Sequence, residues 1–186
     1  MEEVSFDGER WSNAAADPIE LAGPDPGWPA RFESAADEIR RALDGIASPR
    51  VEHVGSTAIP GIAAKPTLDI LLMPAPGSDW SALVAPLESI GYVHWATNPR
   101  RDRMFFVRGM PPHGTGRTHH VHVRRPPEAR AMLLFRYYLI AHPDAAARYE
   151  RLKRELAARH ATEREAYTRG KDAFVEAVLE EARSRG

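Results

Sequence analysis

The amino-acid sequence predicts an α+β fold in which strands and helices alternate first and a helical segment follows. The first observation is a pair of strand-like segments at 50–54 and 67–73, which flank a loop rich in Pro and Gly. The second is a change of pattern after Pro126-Pro127, where helical periodicity continues to the C-terminus. Strands that are followed by a block of helices are typical of α+β domains.

The composition is that of an ordinary soluble globular protein. Of the 186 residues, 43% are hydrophobic and 27% are charged, and the formal net charge of −1 gives no overall attraction to nucleic acid. No apolar run reaches the roughly 20 residues that cross a bilayer, and the N-terminus is acidic. We therefore expect a cytoplasmic protein, with no membrane partner and no nucleic acid. The absence of cysteine excludes disulfides and thiolate zinc sites.

We interpret the chain as one domain in three parts. Residues 1–22 show no sustained period and are predicted to form an extended or partly disordered lead-in. Residues 23–126 are predicted to form an α/β core, and residues 127–186 a helical segment that packs on it. Such a chain is long enough to bury a substantial core.

The predicted elements of the core follow from hydrophobic spacing. Apolar residues at helical intervals predict helices over 30–43 and 80–90, the second of them capped by Asp79. Alternating or apolar runs predict strands at 50–54, 67–73, 92–95, 103–108 and 118–124.

Three helices are predicted in the C-terminal segment. The first begins near Glu128 and ends at His142-Pro143, since proline cannot continue a helix. The second is predicted to be capped by Asp144 and to run to about residue 159. The third is predicted as one helix over 162–183, whose charged residues form a solvated outer face.

Asp69 lies in the apolar run Leu-Asp-Ile-Leu-Leu, where a charge is out of place. A carboxylate on a mostly buried strand costs several kcal/mol unless it is paired or bound to a cation. Two interpretations follow. Asp69 is either a functional acid or a strand-end acid that is bonded to nearby backbone or to an arginine.

A turn that could bind an anion precedes Asp69. Gly55 lets the backbone approach a phosphate, while Ser56 and Thr57 offer N–H and hydroxyl donors. Lys65 follows in the same loop and could neutralise phosphate oxygens. Arginines at 100, 101 and 103 could do the same, and of these we single out Arg101 and Arg103.

These residues lie in a longer string that resembles a known family. HVGSTAIPGIAAKPTLD at 53–69, DPGWP at 25–29, THHVHV at 118–123 and FRYYLIAHP at 135–143 are similar to the GrpB family of the nucleotidyltransferase superfamily. The resemblance covers roughly residues 24–182. It implies a nucleotidyltransferase-like mixed β-sheet with flanking helices and a C-terminal helical segment. It also implies a nucleoside triphosphate and a small-molecule acceptor as partners, with Asp69 as the catalytic acid.

The sequence departs from the superfamily pattern at the metal site. Active nucleotidyltransferases typically carry Asp-x-Asp or Asp-x-Glu on this strand, whereas Leu71 stands at the second position here. Glu52 on the adjoining strand is a candidate second carboxylate, and His120 and His122 stand where a third acid is usual. A divalent cation is the expected cofactor, Mg²⁺ or Mn²⁺ with carboxylates and a transition metal where imidazoles ligate.

Three functional hypotheses remain open on the sequence. The first is transfer of a nucleotidyl or phosphoryl group from a nucleoside triphosphate to a small molecule, with phosphates held by the turn, Lys65, the arginines and His120. The second is a noncatalytic module that binds a nucleotide or another anion after losing a metal ligand. The third is a metal site of Asp69, His120 and His122 with different chemistry, such as hydrolysis.

Overall fold

A five-stranded mixed β-sheet forms the centre of the structure, a computed structural model that describes residues 18–98, 103–110, 114, 116–126 and 128–185. Its strands are β1 (Arg50–Val54), β2 (Leu68–Met73), β3 (Tyr92–His94), β4 (Met104–Arg108) and β5 (His119–Val123). Their order in the sheet is β1-β2-β5-β4-β3. β2 and β5 are parallel, whereas the other neighbouring pairs are antiparallel. The predicted α+β class is confirmed.

The helices are distributed between the sheet and the C-terminal segment. They are α1 (Trp28–Ala42), α2 (Val84–Ser89), α3 (Glu128–Ala141), α4 (Pro143–Arg159), α5 (Arg164–Arg169) and α6 (Asp172–Ser184). Among the residues described, no helix combines the length and apolar character needed to traverse a bilayer.

One face of the sheet is covered by α1 and α2 and contains the main hydrophobic core. Strand alternation directs Ile70 and Leu72 of β2 and Val121 and Val123 of β5 to this face, where all four are fully buried. Phe32 and Ile39 of α1 pack against them. The residues between these positions in the strands therefore point to the opposite face.

That opposite face is shared between a smaller apolar cluster and polar side chains. Val54 and Leu71 pack against Ala129 of α3. Asp69, His120 and His122 lie on the same face, beyond the part that α3 covers. The register places Asp69 beside Val54 on one side and His120 on the other.

The C-terminal helices pack on the loop that joins β1 to β2. Ile59 and Ile62 of this loop belong to one apolar cluster with Tyr149 of α4 and Val178 of α6. Residues 18–22 also contact this region, since the backbones of Ala22 and Ala64 exchange hydrogen bonds of 2.9 and 3.0 Å. Residues 1–17 of the predicted lead-in lie outside the described residues.

Two predicted helices differ from those observed. The segment predicted as a single helix over 162–183 is two helices, because the first ends at Gly170, where a side chain would overlap Leu156. The segment 80–90 is a 3₁₀ turn over Trp80–Leu83 followed by the short α2. Asp79 caps this turn as predicted, since it accepts a hydrogen bond from the Ser81 N–H at 2.9 Å.

The predicted cap of α4 is wrong. Pro143 occupies the first turn, and His142 precedes the helix as its N-cap residue without a side-chain capping bond. Proline has no N–H to satisfy and fits this position. Asp144 lies inside the helix instead, where it pairs with Arg148 one turn later at 3.3 Å.

Candidate metal and phosphate site

Two imidazoles converge on one oxygen of Asp69. His120 Nδ1 lies 3.0 Å and His122 Nε2 lies 3.1 Å from Asp69 Oδ1. They can meet there because β2 and β5 are parallel neighbours, and residues two apart on β5 point the same way. Phe105 of β4 packs against both imidazoles, with ring centroids 5.2 and 5.0 Å away. The Asp69 side chain retains 29% exposure, so the site reaches the surface.

The electrostatics of the site keep Asp69 charged and His120 neutral. Burial by itself would raise the pKa of Asp69, but the hydrogen bonds from His120 and His122 outweigh it and hold that pKa well below its usual value. Burial lowers the pKa of His120 to about 4, although Asp69 acts in the opposite direction. A neutral imidazole beside an ionised carboxylate is the state in which both residues bind metals.

These three residues could hold a metal ion. One ligand atom from each lies within 4.8 Å of the others. The distal nitrogens, His120 Nε2 and His122 Nδ1, are buried and have no hydrogen-bond partner in the described part of the chain. Two nitrogens and one oxygen suit Zn²⁺, Mn²⁺ or Fe²⁺ better than Mg²⁺, which prefers oxygen ligands. The donor set therefore fits a transition metal.

Gly55 lies directly against the second oxygen of Asp69. Its φ of 71° and ψ of −170° belong to a region that essentially only glycine adopts. A Cβ on this residue would overlap Asp69 Oδ2. Glycine is therefore required here both for the turn and for the position of the carboxylate.

The side chains of Ser56 and Thr57, the next two residues of the turn, make different contacts. Ser56 begins a short 3₁₀ turn and is partly exposed, close to the site and to Tyr149 of α4. Thr57 is buried, and its hydroxyl is bonded to His53 Nε2 at 2.9 Å. His53 stacks on Phe32 on the opposite face of the sheet, with centroids 4.7 Å apart. The Ser56 side chain therefore contacts the C-terminal segment, whereas the Thr57 side chain contacts β1.

Glu52 does not join the three-residue cluster. Its carboxylate accepts hydrogen bonds from Arg136 Nη1 at 3.0 Å and Arg50 Nε at 2.8 Å. Leu71, the position of the missing second acid, is fully buried in the cluster under α3. Glu52 is therefore not one of the residues that could hold a metal ion together with Asp69.

The basic residues that were predicted to bind phosphate lie in different parts of the structure. Lys65 is half-buried in the loop before β2, where the charge of Asp69 acts on it. Arg103 precedes β4, and its guanidinium lies 5.4 Å from the centroid of the Phe105 ring, which also packs against both imidazoles. Arg101 lies outside the described residues.

Sequence reasoning missed the contribution of the C-terminal segment. Lys171, between α5 and α6, is close enough to Asp69 for that charge to act on its pKa. Its Nζ lies 4.6 Å from the centroid of Tyr167, the ring that Lys65 also approaches at 5.3 Å. No local motif marks Lys171. The only hint in the sequence that Lys171 is special is the rarity of lysine, since the chain has three lysines among 25 lysines and arginines.

Comparison with known proteins identifies the family. A family model described as GrpB protein matches residues 18–181. The chain belongs to the GrpB family. A UPF0157 protein of Pseudomonas aeruginosa is 56% identical over 94% of this chain and 72% of its own length. A UPF0157 protein of Halalkalibacterium halodurans is 34% identical over 98% of this chain and 90% of its own.

Other relatives extend the comparison to a longer protein and to solved structures. A dephospho-CoA kinase of Mycolicibacterium paratuberculosis is 32% identical over 83% of this chain, which corresponds to 44% of that protein. The crystal structure of GrpB from Enterococcus faecalis superimposes with a TM-score of 0.76 at 30% identity, covering 89% of this chain and 98% of that one.

The fold extends beyond GrpB proteins. The Cid1 poly(U) polymerase, solved with MgGTP bound, superimposes with a TM-score of 0.51 over 82% of this chain and 46% of its own. At 12% identity this likeness concerns the fold alone. The nucleotidyltransferase-like fold predicted from the sequence is confirmed.

Proposed function

We propose that this GrpB-family chain binds a nucleoside triphosphate in front of Asp69 and transfers a nucleotidyl or phosphoryl group from it to a small molecule. The observation that carries the proposal is the convergence of His120 and His122 on Asp69, beside the glycine turn. The shared fold with a polymerase solved with MgGTP supports the class of substrate.

Asp69, His120 and His122 would hold a divalent transition metal. When bound, such an ion neutralises charge on phosphate oxygens. Gly55 and Ser56 would offer backbone and hydroxyl donors to the same phosphates. In nucleotidyl transfer the acceptor oxygen bonds to the α-phosphorus as the bond to the β-phosphate oxygen breaks. Diphosphate then leaves with the electron pair, and the acceptor proton passes to solvent.

A second candidate is nucleotide binding without turnover. The observation that favours it is the single carboxylate of the cluster, because Leu71 is buried and Glu52 is paired with arginines. One carboxylate and two imidazoles cannot organise two metal ions in the way that paired acids do.

Calorimetry of nucleotide binding in EDTA, Mg²⁺, Mn²⁺ and Zn²⁺, with product analysis of the same samples, tests the proposal. We expect affinity and turnover to be higher with Mn²⁺ or Zn²⁺ than with Mg²⁺, since imidazoles are borderline ligands. Metal-dependent binding without any product would favour the second candidate. Metal binding that nucleotides do not influence would favour a metal site of different chemistry.

A further inference from the structure

All three lysines of the chain converge in the fold. Lys65, Lys153 and Lys171 lie in three distant parts of the sequence, in a chain that otherwise uses arginine as its basic residue. Lys65 Nζ and Lys171 Nζ lie 5.3 and 4.6 Å from the ring centroid of Tyr167. Lys153 Nζ lies 4.9 Å from the ring centroid of Tyr149. We call Lys65 and Lys171 the lysine pair.

The roles of the three ammonium groups differ. Lys153 is fully buried and donates a hydrogen bond to the backbone carbonyl of Ala63, so its partner is internal. Within the described ranges, neither member of the lysine pair has a carboxylate at ion-pair distance. The Tyr167 ring beside them is buried, so its position is fixed by packing and both lysines contact an ordered surface.

Charges of both signs surround the lysine pair. The positive charge of Arg164 acts on both lysines and that of Arg117 on Lys65, while the negative charge of Asp69 acts on both lysines and that of Asp172 on Lys171. Burial lowers the pKa of Lys65 to about 7 and also lowers the pKa of Lys171. Clustered and partly desolvated cations of this kind are stabilised when an anion approaches them.

We propose that the lysine pair binds the terminal phosphates of a linear polyphosphate chain. This inference rests on the proposed function, because it assigns the phosphate tail of the same nucleotide to the surface between the loop before β2 and the α5–α6 junction. A triphosphate brings more negative charge than a single phosphate to a place where two ammonium groups lie beside the same tyrosine ring. The C-terminal segment is therefore part of the binding site, through Lys171.

Inorganic triphosphate is the probe, because it contains the proposed anion without a nucleoside. The full chain is titrated with it by calorimetry in EDTA at low salt. The Lys171→Met variant removes one ammonium group, and Arg41→Met, on an exposed position of α1 across the sheet, makes the same change in net charge elsewhere. We expect Lys171→Met to bind triphosphate about tenfold or more weakly, since charge-assisted phosphate contacts are strong, and Arg41→Met to bind like the parent chain.

Two further measurements keep the test decisive. Lys65→Met is a second, independent variant and should lose affinity to a similar degree. The melting temperatures of the lysine variants should not fall, because burial disfavours the charged form of each lysine more than the nearby carboxylates favour it.

Triphosphate affinity that is equal in Lys171→Met, Lys65→Met and Arg41→Met, or no binding by the parent chain, would overturn the inference. The titration contains neither a nucleotide nor a metal ion. A failure of the chain to transfer a nucleotidyl group would therefore not contradict this inference.

Discussion

Asp69 shows how one residue keeps a charge in an otherwise apolar strand. The energetic cost of burying its carboxylate is offset by two imidazole N–H groups on one oxygen, and the glycine backbone of residue 55 borders the other. The carboxylate can therefore serve as a metal ligand without depending on an ion to stay charged.

We predict that Asp69→Asn impairs metal binding more than folding. The amide keeps the shape of the side chain but removes its charge, so Zn²⁺ or Mn²⁺ affinity should fall by more than the about 10–100-fold that is typical for loss of an outer-shell partner. Stability should fall by at most about 1–3 kcal/mol, the range for one unsatisfied polar group. Metal titration and urea unfolding of the same preparation measure both quantities.

Asp79→Asn is the matched control, since it makes the same change at an exposed helix cap. It should leave metal affinity unchanged. A large drop in stability of Asp69→Asn with unchanged metal affinity would show that Asp69 is a structural acid.

Gly55→Ala is predicted to displace the Asp69 carboxylate. Alanine would adopt a strained positive φ, at about 1–3 kcal/mol, and its Cβ would collide with Oδ2. Gly61→Ala is the control, because φ is also positive there (79°) but nothing lies within 4 Å of the added Cβ. Both variants should unfold at lower urea, whereas metal affinity should fall only in Gly55→Ala. Equal metal affinity in the two variants would contradict the proposed contact.

At the scale of elements, the loop between β1 and β2 is held in place by α4. Lys153 reaches from this helix to the carbonyl of Ala63, and the neighbouring Ala64 pairs with Ala22. The same loop contains Lys65, so α4 indirectly positions a residue that we assign to phosphate binding.

Lys153 gives the protein a predicted dependence of stability on pH. Burial lowers its pKa to about 8, below the ordinary 10.5. Between these values the unfolded chain binds more protons than the folded chain, so stability rises with pH, by up to about 1.4 kcal/mol per unit. Urea unfolding at pH 7.5, 9 and 10 should show a steeper rise for the parent chain than for Lys153→Met. Parallel pH profiles would refute the assignment.

The elements differ in how much of them the sequence could predict. The strands agree within one or two residues, because side-chain alternation sets them locally and gives β5 one apolar and one polar face. The lack of room for a side chain at Gly170 was not predictable in this way, since it comes from Leu156 of another helix. For the same reason Asp69 was identified from its own strand, whereas Lys171 needed the tertiary structure.

At the scale of the whole molecule, positive charges lie near the proposed site, although the chain as a whole is almost neutral. The net charge of −1 provides no general attraction for a phosphate compound. The C-terminal segment compensates by adding Lys171 and Arg164 to the Lys65 side of the core. Binding should consequently weaken with added salt and depend on few contacts.

We predict that triphosphate binding takes up protons at pH 8. The pKa of Lys65 is about 7, so this lysine is mostly neutral at pH 8, and a bound anion would raise its pKa and protonate it. Calorimetry in buffers of different ionisation enthalpy measures the uptake, which should diminish at pH 6, where the lysine is already charged. The Lys65→Met variant should take up fewer protons. Identical uptake in both proteins would exclude Lys65 as the group.

The parallel pairing of β2 with β5 also bears on how the protein folds. Asp69 and His120 are 51 residues apart in sequence, and the chain between them must first turn back through β3 and β4. Contacts across such separations require costly loop closure and slow the folding of a domain. The three residues that we propose as metal ligands therefore come together only when the central, least local pairing of the sheet has formed. Binding of one ion by Asp69, His120 and His122 together would therefore require a completed fold. A nascent chain that ends before β5 would lack both histidines and could not form this site.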